Sequence, residues 1–157
     1  DKPDAIFVDE GGVGAGVVDR LRSLGVRGAM GVNFGSSADS GSLVASGAAM
    51  ESYANKRAEM WGGVRSWLRR GGCLPSNREL RDDLTGVQYG FDRDGRIQLE
   101  RKEDMKKRGL ASPDFGDALA LTFAYPVMSS QLSQEVERMR RRSRQPDDPR
   151  MAILGRS

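Results

Sequence analysis

The sequence predicts an α/β fold, and three observations carry that reading. A short apolar run, "AIFVD" at residues 5–9, precedes a glycine-rich turn and a helix-periodic stretch. A second apolar run, "VRGAMGVNF" at 26–34, follows that stretch. Strand, helix and strand in this order argue for a parallel βαβ unit, because parallel strands need a long crossover that a helix supplies. Helical periodicity and one hairpin signal then alternate along the rest of the chain, so the class is neither all-helical nor all-β.

Each element has its own local cause. Ile6, Phe7 and Val8 are β-favouring and uninterrupted, which suits a buried strand ending at Asp9. The turn "EGGVGAG" allows a tight strand-to-helix passage with close backbone approach. A dinucleotide fingerprint would need glycine three residues after Gly14, where Val17 stands, and no G-K-[ST] phosphate loop occurs. Nucleotide cradling is therefore poorly supported. Val17, Val18, Leu21 and Leu24 have helical spacing, and Gly25 stops that helix.

Residues 35–48 are small and polar and read as a long loop, of the kind that is either functional or disordered. Residues 49–70 predict the longest helix. Met50, Tyr53, Ala54, Arg57, Trp61, Val64 and Leu68 fall on one stripe of it. That stripe is core, with Arg57 the one member able to face a site. Asn77 is an N-cap candidate for a short helix over 77–84. Residues 87–100 place two strand-like runs around Asp94-Gly95, a hairpin signal. A short basic helix over 101–108 closes at Gly109, and a last helix runs from about 114 to 128. No internal repeat is present.

Composition narrows the chemistry. The 157 residues are 30% charged and 38% hydrophobic, as in a soluble globular chain, and no apolar run is long enough to cross a membrane. Cys73 is the single cysteine, so no disulfide forms within the chain and a cytoplasmic setting is expected. No histidine is present, which excludes Ser–His and Cys–His catalysis and histidine-based zinc sites. Any chemistry rests on carboxylates, alone or with hard metal ions. The net charge of +3 lies in residues 129–157, with seven arginines against four acids. That tail reads as a frayed helix followed by disorder, able to touch nucleic acid or simply solvated. The first residue is Asp1, which points to a piece of something longer.

Three acids stand out. Asp9 ends a strand at the carboxyl edge, where α/β sites lie, although capping of the turn through backbone N–H groups would also explain it. Asp114 and Asp117 share one helix face at i and i+3. An N-cap explains either of them, since acids favour a helix N-terminus. It explains both less well, because Asp117 runs directly into the apolar Ala118–Phe123. Like charges so close call for compensation, and a divalent cation supplies it. Oxygen-only ligation suits Mg2+ or Mn2+ rather than zinc.

The blocks "IFVDEGGVGAGVVDRLRSLG", "YANKRAEMWGGVRSWL" and "GRIQLERKEDMKKRGLASPDFGDALALTFA" occur in that order over residues 5–125. Together they resemble the C-terminal nuclease domain of tailed-phage terminase large subunits. The resemblance implies an RNase H-like mixed sheet flanked by helices, lacking its first strands here, over residues 1–128, with a basic tail at 129–157. It implies a two-metal endonuclease, using two Mg2+ or Mn2+ ions, that cuts concatemeric double-stranded DNA during packaging. Asp9 matches the family's second acid, and Asp114 and Asp117 its C-terminal acids, as catalytic and metal-binding residues. Relatives differ over which of the last two is essential.

The family's first acid has no counterpart here, nor does its packaging ATPase domain. A catalytically incomplete module that only binds DNA or a packaging partner is therefore the alternative. Phosphate contacts are expected from Lys102, Lys106, Lys107 and Arg108, with Arg57 a weaker candidate. Three of these, Lys106, Lys107 and Arg108, also simply suit a helix C-terminus. The implied partners are double-stranded DNA, the terminase ATPase domain, the small terminase subunit and the portal. The strand ending at Asp9 would have an open edge, through which two copies of the chain could pair.

Overall fold

Ile6–Asp9 form β1 and Ala29–Val32 form β2, and the two pair in parallel with Ile6 opposite Ala29 and Asp9 opposite Val32. Helix α1, Gly14–Ser23, is the crossover between them and packs on both. Successive strand residues point to opposite faces. Val8 accordingly neighbours the Gly14 turn that begins α1, while Phe7 packs on the main core cluster of Val32, Met60, Trp61, Val64, Ala120 and Ala124. The computed structural model describes residues 3–39, 45, 46, 49–129, 132 and 135–140. Among these, β1 pairs with β2 alone.

A short antiparallel pair joins β3 (Ala45–Ser46), in the predicted loop, to β4 (Ala49–Met50), at the start of the predicted long helix. Helix α2, Lys56–Arg69, is the longest. It begins seven residues later than its sequence pattern predicts, at a cap that the pattern hides. The Asn55 side chain accepts from the Ala58 N–H at 2.9 Å, and Tyr53 is extended, bridging Ile97. The first N–H groups of α2 also find carbonyls in the chain leaving β2: Lys56 donates to Ser36 and Arg57 to Phe34. Buried Lys56 adds side-chain pairs to Asp39 and Glu59 at 2.7 and 3.3 Å, so the same segment is pinned twice.

Helix α3, Arg78–Gly86, is capped as predicted by Asn77, which accepts from the Leu80 N–H. The hairpin forms from β5 (Tyr89–Phe91) and β6 (Ile97–Leu99), with Asp92 Oδ1 accepting the Asp94 and Arg96 N–H groups in its turn. Helix α4 spans Lys102–Lys107 and α5 spans Asp114–Leu121. The last helix is shorter than predicted. After Leu121 the N–H groups of Phe123 and Ala124 bond three residues back, and Pro126 then disfavours helical backbone at Tyr125.

The parallel and antiparallel pairs lie in three separate two-stranded sheets among the described residues, so the mixed sheet expected from the resemblance is present only as α/β composition. Helix α5 packs against β1, α2 and α3, and α2 packs against β6. These elements belong to one compact unit, Ala5–Pro126. Outside it, residues 135–140 are helical, and most of the basic tail, residues 141–157, lies outside the described residues. No helix among the described residues is long and apolar enough to cross a membrane.

Candidate functional site

The start of α5 is held from another helix. Its first N–H groups lack partners within the helix, and no side chain of its own segment caps it. Asp83, on α3, supplies the cap instead: its Oδ2 accepts from the N–H groups of Phe115 at 2.9 Å and Gly116 at 3.1 Å. An anionic cap also suits the positive end of the helix dipole. Asp114 stands exposed on this first turn.

One turn on, Asp117 is only 6% exposed. Its Oδ1 accepts from Arg57 Nε at 3.0 Å and from Trp61 Nε1 at 2.9 Å. Its Oδ2 lies 2.9 Å from Lys102 Nζ, an ion pair without hydrogen-bond alignment, so this buried oxygen accepts no hydrogen bond. Arg57 is itself buried. It donates from Nη1 to the Glu100 carbonyl at 3.1 Å, and its guanidinium carbon stands 5.8 Å from the Trp61 ring. Lys102 Nζ is 6.0 Å from the Phe34 ring. The site thus joins the exit of β2, the first turns of α2, the start of α4 and the start of α5.

The other predicted residues fall elsewhere. Asp9 closes the turn after β1, its Oδ1 accepting the Gly11 N–H at 2.9 Å. Among the described residues, no three acidic, histidine or cysteine side chains stand close enough together to share a metal ion, so Asp9, Asp114 and Asp117 do not form a closed cluster. Lys106 is exposed on α4. Lys107 pairs with Asp104 at 2.7 Å, and the hydrogen bond holds the Asp104 carboxyl below its ordinary range. Arg108 donates to both oxygens of Glu100 and to the Gly86 carbonyl, and its hydrogen bond lowers the Glu100 carboxyl likewise. Arg57 is corrected as a phosphate contact: buried and turned onto Asp117, its guanidinium is not open to DNA in this structure.

Two functional side chains escape sequence reasoning. Trp61 reads as core, and it is core, but a buried indole N–H needs an acceptor, which hints at a polar partner without naming it. Asp83 carries no local signal, because its partners are 32 and 33 residues away.

No protein-family model matches the chain, and no curated protein sequence does. Solved structures do. The nuclease domain of the large terminase subunit gp2 of bacterial virus Sf6 superposes with a TM-score of 0.61 at 23% identity, over 79% of this chain. The chain has the fold of a terminase nuclease domain. A lysine-to-alanine mutant of that viral domain with manganese aligns at TM-score 0.61, and one with calcium at 0.60, each at 22% identity over 78% of this chain. The likeness is one of fold, and the chain spans 66% of the length of those terminase domains.

Proposed function

We propose that this chain is the nuclease module of a phage DNA-packaging terminase, acting by metal-dependent cleavage of double-stranded DNA around Asp117. The shared fold supports the family reading, and the observation that carries the site is the Asp117 carboxylate itself. One oxygen is fixed by two donors, and the other is buried and faces a cation without accepting a hydrogen bond. A hard, oriented carboxylate oxygen fits Mg2+ or Mn2+. By the family resemblance Asp117 would share such ions with Asp9 and Asp114, which this structure does not bring into one cluster; when bound, the ions would activate water and stabilise the leaving oxygen of a phosphodiester. Lys106, with Lys102, Lys107 and Arg108 beside it on or next to α4, would grip phosphates without reading sequence. The second edge of β1 would accept another strand, from a second copy or from a longer form of the chain. The ATPase domain, small subunit and portal are the partners this reading implies.

The test is plasmid nicking in millimolar Mn2+ or Mg2+, with Asp9→Asn and Asp117→Asn alongside. Cleavage by the parent chain that both variants lose supports the reading. Cleavage that persists in Asp117→Asn overturns it.

A second reading is a binding module without catalysis. It is favoured by the balance at Asp117, whose charge is already met by Arg57 and Lys102, and by the open arrangement of the three acids. DNA retention in gel shifts, with no nicking under any metal, would select it.

A further inference from the structure

We propose that the groove between the end of α2 and α3 is a docking site for an acidic amphipathic helix of a partner protein. None of its residues belongs to the Asp117 site, so it is independent of the metal-centred reading.

The groove holds a cavity of about 500 Å3, within the size range of binding pockets. Its floor is apolar. Leu68 from α2, Leu74 and Pro75 from the connecting segment, and Leu80 and Leu84 from α3 supply it. Leu68 and Leu84 also pack on the main core cluster, which fixes the floor in place. Leu80 and Leu84 are four apart and share a face of α3, as a seat for another helix requires.

The rim is cationic. Arg78 and Arg81 are among the lining residues, and no acidic side chain is. Asp83 of the same helix is turned instead to the start of α5. Arg69 and Arg70, the two residues after Leu68, are exposed and have no ion pair among the described residues. The rim arginines are loosely engaged. Arg78 and Arg81 share one carboxylate, Asp82, at 3.4 and 3.2 Å, and their side chains are 85% and 69% exposed. Exposed pairs of this kind contribute little, so an incoming carboxylate can take the place of Asp82.

Floor and rim together select the occupant. DNA brings phosphates to the arginines but nothing apolar to the leucines. A wholly apolar helix fills the floor and leaves the arginines unmatched. A helix with apolar side chains at i, i+3, i+4 and i+7 and acids on its flanks meets both.

The test is fluorescence anisotropy with a labelled synthetic helix that carries leucines at i, i+3, i+4 and i+7, glutamates on its flanks and alanine elsewhere. This chain should bind it, and should not bind a counterpart with lysine for each glutamate. Arg78→Glu with Arg81→Glu should weaken binding about ten-fold or more, since like charges then face one another, and should admit the lysine counterpart. Both side chains are exposed, so the thermal midpoint of that variant should match the parent's. Leu74→Ser should weaken binding with the rim intact. A chain that ignores the leucine–glutamate helix overturns the proposal. Equal binding of a glutamate–alanine peptide without leucine also overturns it, because the rim is then a general anion surface. Displacement of the helix by duplex DNA, abolished by the same charge reversal, would make the groove a nucleic-acid contact instead.

Discussion

Arg57 and Asp117 are 60 positions apart in the chain and 3.0 Å apart in the fold. Their side chains are 11% and 8% exposed, so each compensates the other's buried charge, with Lys102 a second cation beside Asp117. Removing one partner of such a pair costs about 3–5 kcal/mol. Arg57→Met should therefore lower stability by that order in urea denaturation. Arg57→Met combined with Asp117→Leu should recover part of the loss, since the stranded charge is gone. A double variant no more stable than Arg57→Met would show that the pair's charge is not what matters.

Metal removal should leave the fold standing. Asp117 is balanced by Arg57 and Lys102, cations that belong to the chain. The thermal midpoint in excess chelator is expected to match that in Mg2+ at low concentrations of the ion. A midpoint that collapses on chelation would mean that an ion, not the lysine and arginine, carries the compensation.

The cap on α5 predicts a stability effect at a residue distant from it in sequence. Asp83→Ala removes the acceptor of the Phe115 and Gly116 N–H groups and should cost about 1 kcal/mol, the ordinary value of a helix cap. Hydrogen exchange at those two amides should accelerate before the rest of α5 responds. Unchanged exchange there would refute the cap.

Glycines at either side of one turn should respond in opposite directions. A Cβ at Gly14 would lie 1.7 Å from the Asp9 carbonyl oxygen, while one at Gly16 meets nothing within 4 Å. Gly14→Ala should therefore destabilise by about 1–3 kcal/mol through forced backbone movement. Gly16→Ala, on the exposed side of α1, should stabilise by about 0.5–1 kcal/mol through helix propensity. Equal effects in thermal melts would argue against the tight turn.

Tyr53 predicts an alkaline limb. Burial, together with its hydrogen bond to Glu51 at 2.9 Å, pushes its hydroxyl up from the ordinary 10.0 to about 12. The folded state favours the neutral phenol, so this contribution is complete below pH 10.0 and is lost as pH rises toward about 12. Tyrosinate absorbance should show one of the three tyrosines ionising late, and Tyr53→Phe should remove that step.

Much of this protein is local and was legible in the chain. The βαβ order, the Asn77 cap, the hairpin at Asp94-Gly95 and the tight turn after Asp9 each follow from residues within a few positions of one another. The absence of histidine confines the chemistry to carboxylates at any level of folding. Helix boundaries were less legible, because hydrophobic periodicity runs on past the Asn55 cap that starts α2 and past Leu121, where α5 ends ahead of Pro126. Three acids could be named from sequence, but not what surrounds them. Only the tertiary structure sets Arg57 and Trp61 on one oxygen of Asp117 and turns Asp83 into the cap of a distant helix. Periodicity reports which side of a helix is buried. Which buried polar group meets which is decided by packing between elements, where an unpaired charge is costly enough to select its partner from anywhere in the chain.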